Sequence, residues 1–109
     1  MHTPLRPNEK IVKEGAASFQ KNVEIVGGKL FLTDQRLIFE AHKFNVQRGT
    51  TEIQLSHVRS TKKCWTRFFL IPMAPNSLAV HTKQGTDYRF VLSGREAWAA
   101  AINAGMGDN

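Results

Sequence analysis

The sequence predicts a mainly β domain in which seven short antiparallel strands are followed by one C-terminal α-helix. Two observations support this fold class. Apolar and polar residues alternate with a period of two through most of the chain, which is typical of strands with one buried face. From Ser93 onward the period changes, and Trp98, Ala101 and Ile102 fall on one stripe of a helix. With 109 residues, the chain can form one domain around one core.

The hairpin over residues 27–41 is the clearest local signal. Two apolar runs flank the polar tetrad 33–36, where Asp34 is expected to favour a tight turn by bonding its own backbone two residues on. Gly27 and Gly28 mark a bend at which a side chain would obstruct a close backbone approach. The alternation places Leu30 and Leu32 on one face of their strand, and it likewise places Leu37, Phe39 and Ala41 on one face of the next.

The remaining strands are predicted from shorter runs. Residues 55–58 form a bend that returns two apolar residues to the core. Residues 67–76 form a loop, since they contain two prolines. Gly85 supplies a positive φ at the tip of the last hairpin. The seven predicted strands are 11–19, 23–32, 36–41, 51–54, 59–66, 77–82 and 87–92.

The helix and the domain limits complete this prediction. Ser93 and Glu96 match a capping box, which places the start of the helix there. Gly105 is expected to end it. We expect a flexible N-terminal segment over residues 1–7, a single domain over 8–105 and a C-terminal tail over 106–109.

Charge is unevenly distributed along the chain. The net charge is +6, and no Asp or Glu occurs from Ile53 to Thr86. Such a basic stretch can attract lipid headgroups or nucleic acid, or it can be a solvated face that aids solubility. The basic residues of this stretch are Arg59, Lys62, Lys63, Arg67 and Lys83. Five acidic residues are expected to face solvent: Glu9, Glu14, Glu24, Glu40 and Glu52.

Several functional classes lack their sequence signals. The longest apolar run, residues 68–71, is far too short to span a membrane, and no secretory signal is visible, so we expect a cytoplasmic protein that could lie at the inner face of the membrane. The single cysteine, Cys64, cannot form an internal disulfide. No nucleophile elbow, P-loop or dinucleotide fingerprint occurs, and the four histidines lack metal-ligand spacing. We therefore expect no catalysis, no cofactor and no metal.

Residues 28–39, GKLFLTDQRLIF, closely resemble the core signature of the GRAM domain, a relative of the pleckstrin-homology (PH) domain. Residues 8–10, 53–58 and 93–102 are similar to the start, the middle and the terminal helix of that family. The resemblance covers residues 8–104, and stand-alone bacterial domains are the most similar in kind. It implies a seven-stranded PH-like barrel or sandwich capped by a C-terminal helix. It also implies a module without catalysis that docks to a protein partner or to an anionic, phosphoinositide-bearing membrane.

The same resemblance implies a phosphate or headgroup site. In lipid-binding relatives, a basic cluster between the first two strands and between the third and fourth strands grips the phosphates. Here the corresponding cations are Lys21, Lys43 and Arg48, and Lys62, Lys63 or Arg67 could assist them. Because Lys62 and Lys63 are adjacent on a predicted strand, they are expected to point to opposite faces.

An apolar surface is the second candidate site. It consists of Trp65, Phe68, Phe69, Ile71 and Met73. Exposed aromatic and Met residues are typical of contacts with proteins, membranes or a second copy of the chain, whereas the alternative is that they close the barrel as core. Trp98 is expected to be core.

Two further functions stay open as alternatives. Nucleic-acid binding would use basic residues interleaved with aromatic ones, but no recognised motif accompanies them. The chain could also be a structural subunit of a larger homo-oligomeric assembly.

Overall fold

The computed structural model describes the backbone of residues 1–21, 24–42, 50–68 and 71–106, and the side chains of 1–20, 24–42, 50–64 and 77–106. Seven strands precede one helix, as the sequence predicts. The strands are β1 (Ile11–Lys21), β2 (Glu24–Thr33), β3 (Arg36–Ala41), β4 (Thr50–Gln54), β5 (Val58–Phe68), β6 (Ile71–Thr82) and β7 (Asp87–Leu92), and the helix is α1 (Arg95–Met106). A 3₁₀ turn, Leu55–His57, lies where the sequence predicts a bend.

The strands form one antiparallel sheet in the order β4-β3-β2-β1-β7-β6-β5. The central strand β1 pairs with β2 from Ile11 to Lys21, and with β7 from Ala17 to Gln20. Phe39 on β3 and Phe90 on β7 are three strand spacings apart, about 14 Å in a flat sheet. Their ring centroids lie only 6.0 Å apart. The sheet therefore folds over on itself and encloses a core between its two halves.

Aromatic rings join the two halves of this core. Phe19 on β1 stacks on Phe90 with centroids 5.2 Å apart and meets the edge of Phe39 at 5.7 Å. Such ring pairs add to the stabilisation that comes from apolar burial. All five residues that the alternation of the first hairpin places on a shared face belong to this core or pack against it.

The helix α1 closes one end of the barrel. It packs against β1, β5, β6 and the 3₁₀ turn. Trp98 is 3% exposed and Ile102 is fully buried, which confirms Trp98 as core. The Trp98 ring lies above Gly15, where a Cβ would be 3.6 Å away. Lys13 Nζ lies 5.2 Å from the ring centroid and adds a cation–π contact.

The loop predicted for residues 67–76 is wrong at its described positions, because β5 continues to Phe68 and β6 begins at Ile71, and residues 69–70 lie outside the described part of the chain. The backbones of β5 and β6 pair Thr66 with Ala74, Arg67 with Pro72, and Phe68 with Ile71. The two prolines suggested a loop. However, β6 pairs with β7 only from Ser77 to His81 among the described residues, so its first half has one strand neighbour. A proline can lie in such a segment, since the missing N–H can face the unpaired side.

The helix begins and ends at other residues than the sequence predicts, and a glycine is involved at each end. The first helical hydrogen bond runs from the Trp98 N–H to the Gly94 carbonyl, so Gly94 rather than Ser93 precedes the helix, with φ +69°. Gly105 does not end the helix, which continues to Met106. Its role is close packing instead, since a Cβ there would lie 2.9 Å from Leu55 Cδ1. Gly85 has the positive φ predicted for it, +90°.

Candidate functional site

The N-terminal residues lie across the outer face of β2 and β3, the face that points away from the core. The backbone N–H groups of His2 and Thr3 donate to the Glu40 carboxylate at 3.0 and 2.8 Å. Phe31 and Ile38, a cross-strand pair on the same face, are only 3% and 0% exposed. The sequence predicts a flexible segment over residues 1–7, whereas the structure fastens this segment by hydrogen bonds. We name residues 1–10 the N-terminal strap.

A tight turn in the strap positions Glu9. The Glu9 N–H donates to the Arg6 carbonyl at 3.1 Å, and Asn8 has φ +65°. Pro7 at the second position and a positive φ at the third are the signature of a type II turn. The Glu9 carboxylate in turn accepts the Arg6 N–H at 2.8 Å. The turn therefore directs the Glu9 side chain under the strap, towards β3.

Arg36 is the centre of a buried ionic cluster. Its Nε and Nη2 donate to the two Glu9 carboxylate oxygens at 2.8 and 2.9 Å, which is a bidentate pair. Nη1 donates to Glu52 Oε1 at 2.6 Å, and Nη2 also donates to the Pro4 carbonyl at 2.9 Å. The side chain of Glu9 is completely buried and that of Arg36 is 5% exposed. The guanidinium thus joins the strap to β3 and β4.

Thr33 organises the turn between β2 and β3. Its Oγ1 accepts the Gln35 and Arg36 N–H groups at 3.0 and 2.9 Å and lies 2.6 Å from Glu9 Oε2. Asp34 was expected to perform this role. Its carboxylate instead accepts the Lys10 N–H at 3.1 Å and ties the end of the strap to the turn.

Two carboxylates in this region have lowered pKa values. Hydrogen bonds from Arg36 lower the pKa of Glu9 from 4.5 to about 2, although burial opposes this. Burial also raises the pKa of Glu40, but the hydrogen bonds from His2 and Thr3 outweigh it, so the net shift is downward. Glu9 also raises the pKa of Arg36 above its ordinary range. All three groups are therefore charged at neutral pH.

The prediction that five acidic residues face solvent is wrong for two of them. Glu9 and Glu40 are 6% exposed, because charged and backbone donors under the strap satisfy them. Glu52 is partly exposed but binds Arg36. Glu14, as predicted, is exposed and pairs with Lys29 at 2.9 Å. The strap thus removes acidic groups from the surface.

Most of the predicted headgroup cations lie outside the described side chains. Lys43 and Arg48 belong to residues 43–49, which are not described, and only the backbone of Lys21 and Arg67 is described. Lys62 and Lys63 point to opposite faces, as expected. Lys62 lies opposite Ala79 on the outer face, whereas Lys63 faces α1 with its Nζ 3.7 Å from Glu96.

The predicted apolar surface lies on the β5–β6 hairpin. Phe69 is outside the described residues, and of Trp65, Phe68, Ile71 and Met73 only the backbone is described. The last β6–β7 pair is Ser77 with Val91. The described residues 66–68 of β5 and 71–74 of β6 therefore pair with each other beyond the last residue of β6 that pairs with β7.

Other types of site find little support in the described residues. No cluster of three or more His, Cys, Asp or Glu side chains there could hold a metal ion. No helix among them is long and apolar enough to cross a membrane. Cys64 is a half-buried free thiol, and its carbonyl accepts a hydrogen bond from Arg95 at 2.8 Å.

Comparison with known protein families identifies the architecture. The family model of the GRAM domain matches residues 1–95, which include the strap, all seven strands and the start of α1. The chain belongs to the GRAM domain family. No curated protein sequence matches it.

Solved structures place this GRAM domain in the PH-like fold. The N-terminal PH domain of Vps36 aligns with a TM-score of 0.74 at 17% identity, over 96% of this chain and 84% of that one. The C-terminal domain of an unknown protein from Leishmania infantum gives 0.74 at 15% identity, over 92% and 86%. The Slm1 PH domain in complex with phosphoserine gives 0.66 at 14% identity, over 89% and 96%. GRAM and PH-like domains are typically binding modules rather than enzymes.

The buried cluster of this GRAM domain is not among the sites that the sequence predicts. Arg36 was assigned to a polar turn, and its partner Glu9 is 27 residues away in the chain. A local signal did exist, because Pro7-Asn8 has the composition of a type II turn and would have predicted an ordered strap.

Proposed function

We propose that this GRAM domain is a non-enzymatic docking module that binds an anionic membrane surface, with phosphoinositide headgroups as the ligand. The proposed headgroup cations are Lys21, Lys43 and Arg48, assisted by Lys62, Lys63 and Arg67. The domain would then be a cytoplasmic protein that associates peripherally with the inner face of the membrane. Its resemblance to stand-alone bacterial domains is part of the same proposal.

The observation that carries this proposal is the inward placement of acidic groups. The chain has a net charge of +6, and the buried set of Glu9, Glu40 and Arg36 carries −1, so the rest of the chain carries +7. The stretch without acidic residues forms β5 and β6, at one edge of the sheet. Each cation near an anionic membrane contributes about 1 kcal/mol. The fold thus concentrates positive charge on its surface.

Sheet topology supports the choice of loop cations. Because β1 and β3 both pair antiparallel with β2, they run in the same direction, and the β1–β2 and β3–β4 connections leave the sheet at the same end. Lys21 is the last residue of β1, and Lys43 and Arg48 belong to the β3–β4 connection. The phosphoserine bound to the Slm1 PH domain further supports a phosphate ligand for a domain of this fold.

Liposome co-sedimentation tests the proposal. The purified domain is mixed with neutral vesicles, with anionic phosphatidylserine vesicles and with vesicles that contain phosphatidylinositol 4-phosphate, each at low and moderate salt. Binding to the phosphoinositide vesicles that persists at moderate salt supports a headgroup site. Binding to every anionic vesicle that vanishes at moderate salt indicates a screened basic surface only. Absence of binding to all three contradicts the proposal.

A second candidate function is docking of a protein partner, including a second copy of this chain, through the β5–β6 hairpin. The observation that favours it is the extension of this hairpin beyond β7, with an apolar sequence at its tip. The double substitution Phe68→Ser and Phe69→Ser tests it, with size-exclusion chromatography and light scattering as the measurement. Loss of an oligomer with retained folding supports docking. Unfolding of the variant would instead show that these side chains are core.

A further inference from the structure

A shallow depression of about 290 Å³ lies on the outer face of β1, β6 and β7. It is lined by Gln20, Ala79, His81, Asp87, Tyr88 and Arg89. Its size is near the lower limit of ordinary small-molecule sites, about 300 Å³. It would therefore hold a compact group rather than a large cofactor.

Sheet register explains why the depression exists. Lys62, Ala79 and Arg89 lie directly opposite one another on β5, β6 and β7. Directly opposed residues project from the same face of a sheet, so they form one row. Ala79 has the smallest side chain of the three, and it leaves a gap between two cations. Lys62 and Arg89 are two strand spacings apart, about 10 Å between their Cα atoms.

The two cations are available for a ligand. In the part of the chain that the structure describes, neither Lys62 nor Arg89 forms an ion pair. Arg89 is half-buried and Lys62 is exposed. A guanidinium that is partly withdrawn from water binds a phosphate strongly, because it offers paired donors in a fixed plane.

The next row of the same face contains the other charged groups at the depression. His81 lies opposite Asp87, and its Nδ1 is 2.8 Å from Asp87 Oδ1. This contact engages the single carboxylate of the lining and fixes Nδ1 as the donor of the neutral ring. In the imidazolium form, Nε2 is a further donor. The lining of the depression thus carries Arg89, which has no acidic partner among the described residues, and one His–Asp pair. Lys62 does not line it but lies beside it, opposite Ala79 on β5.

We propose that this depression binds a phosphomonoester group, with Arg89 and His81 in its lining and with Lys62, which reaches over from β5 beside Ala79, as the second cationic ligand. The site lies on the outer face of the sheet, apart from the β3–β4 connection that carries Lys43 and Arg48, and it shares Lys62 with the assisting cations of the proposed headgroup site. Arg89 belongs to this site alone, so the site can be tested separately from membrane docking. A free phosphomonoester and a phosphorylated lipid headgroup are the two sources of such a ligand.

Amide chemical shifts of the ¹⁵N-labelled domain test this site. The probes are inorganic phosphate and glycerol 3-phosphate, each titrated at constant ionic strength. We expect saturable shifts centred on Ala79, His81 and Arg89. A second depression of equal volume, lined by residues such as Ser18, Gly27 and Val91, contains no Lys or Arg and is an internal control. Absent shifts, or equal shifts at both depressions, would overturn the proposal.

Matched variants distinguish phosphate binding at this site from nonspecific attraction of phosphate to the positive charge of the domain. Arg89→Gln and Lys62→Gln should each weaken phosphate binding by roughly tenfold. Lys83→Gln removes the same charge from the exposed β6–β7 turn and should leave binding within twofold of wild type. Ala79→Leu keeps both cations but fills the gap, and it should abolish binding. The spectrum of each variant reports its folding. Equal affinities for folded Arg89→Gln and Lys83→Gln would refute the site.

Vesicles identify the source of the ligand. If vesicles with phosphatidylinositol 4-phosphate compete with glycerol 3-phosphate for the Ala79 signal, the ligand is a lipid headgroup. If only the small phosphomonoester binds, the ligand is free in solution. The triple variant Lys21→Glu, Lys43→Glu, Arg48→Glu should retain the phosphate shifts even where it loses membrane binding. Failure of this site is therefore distinguishable from failure of the docking function.

Discussion

Substitution of Glu9 by Gln tests the buried cluster most sharply. The variant keeps the shape of the side chain but replaces one carboxylate oxygen with an NH₂ donor. Both Glu9 oxygens accept hydrogen bonds from Arg36 in the native structure. In the variant, an N–H group of Arg36 therefore points at the NH₂ group of Gln, which cannot accept its hydrogen bond. The buried guanidinium then keeps only Glu52 as an ionic partner.

The pKa of Glu9 sets the size of the expected effect. It falls from 4.5 to about 2 on folding. A shift of one pKa unit corresponds to about 1.4 kcal/mol, so the charged pair contributes on the order of 3 kcal/mol at neutral pH. Breaking a buried ion pair costs a similar amount, about 3–5 kcal/mol. This is a large part of the stability of a small domain, which is typically about 5–15 kcal/mol.

Urea denaturation at several pH values is the assay. Because the folded pKa is lowered, the stabilisation is complete above pH 4.5 and is lost as the pH falls towards 2. The difference in unfolding free energy between wild type and Glu9→Gln should therefore be about 3 kcal/mol at pH 7 and should shrink through this window. Glu14→Gln is the matched control, because its pair with Lys29 is half-exposed. It should cost less than about 0.5 kcal/mol.

Two results would refute this reasoning. One is a cost for Glu9→Gln no larger than that of the Glu14 control at pH 7. The other is a difference from wild type that stays constant from pH 7 to pH 3, since the charge of Glu9 would then not be the cause.

Three further predictions concern packing and backbone conformation, each measured by the same urea denaturation. Gly28→Ala should destabilise the domain by roughly 1–3 kcal/mol, since its Cβ would lie 2.9 Å from Ala41 Cα. Gly27→Ala should be tolerated, since its Cβ would lie 3.4 Å from His42 Cδ2. Equal effects of the two substitutions would contradict the close approach of the backbones at Gly28. Trp98→Ala should cost about 3–5 kcal/mol because it leaves a cavity beneath α1, and a small cost would exclude it from the core. Asn8→Gly should be neutral and Asn8→Val destabilising by about 1 kcal/mol, because φ is +65°; the reverse order would argue against the type II turn.

The fold could be predicted because its signals are local. The alternation over residues 28–41 reports directly which side of β2 and β3 is buried, since the side-chain period of a strand is two. Gly28 likewise reports a close approach between neighbouring strands. The helical stripe that contains Trp98 depends on spacings of three and four residues. Each of these patterns is complete within one or two adjacent elements.

The buried cluster could not be predicted because its contacts are tertiary. Nothing in the neighbourhood of Glu40 shows that the backbone of His2 and Thr3 satisfies it, 37 or 38 residues away. Acidic residues usually face solvent unless they are paired, so the sequence predicted exposed positions for Glu9 and Glu40, which are in fact buried. Both strands of the β5–β6 hairpin were predicted, but their extension to Phe68 and from Ile71 was missed for another reason. Its prolines are incompatible with a central strand but compatible with a segment that has one neighbour.

The proposed docking function has a direct test in charge reversal. Wild type is compared with two triple variants. The loop variant combines Lys21→Glu, Lys43→Glu and Arg48→Glu. The matched variant combines three reversals at exposed positions elsewhere, Lys10→Glu, Lys29→Glu and Lys83→Glu. The measurement is co-sedimentation with phosphatidylinositol 4-phosphate vesicles at moderate salt. We predict that wild type and the matched variant sediment with the vesicles, whereas the loop variant stays in the supernatant. Binding of the loop variant at the wild-type level, or no binding of wild type, would contradict the proposal.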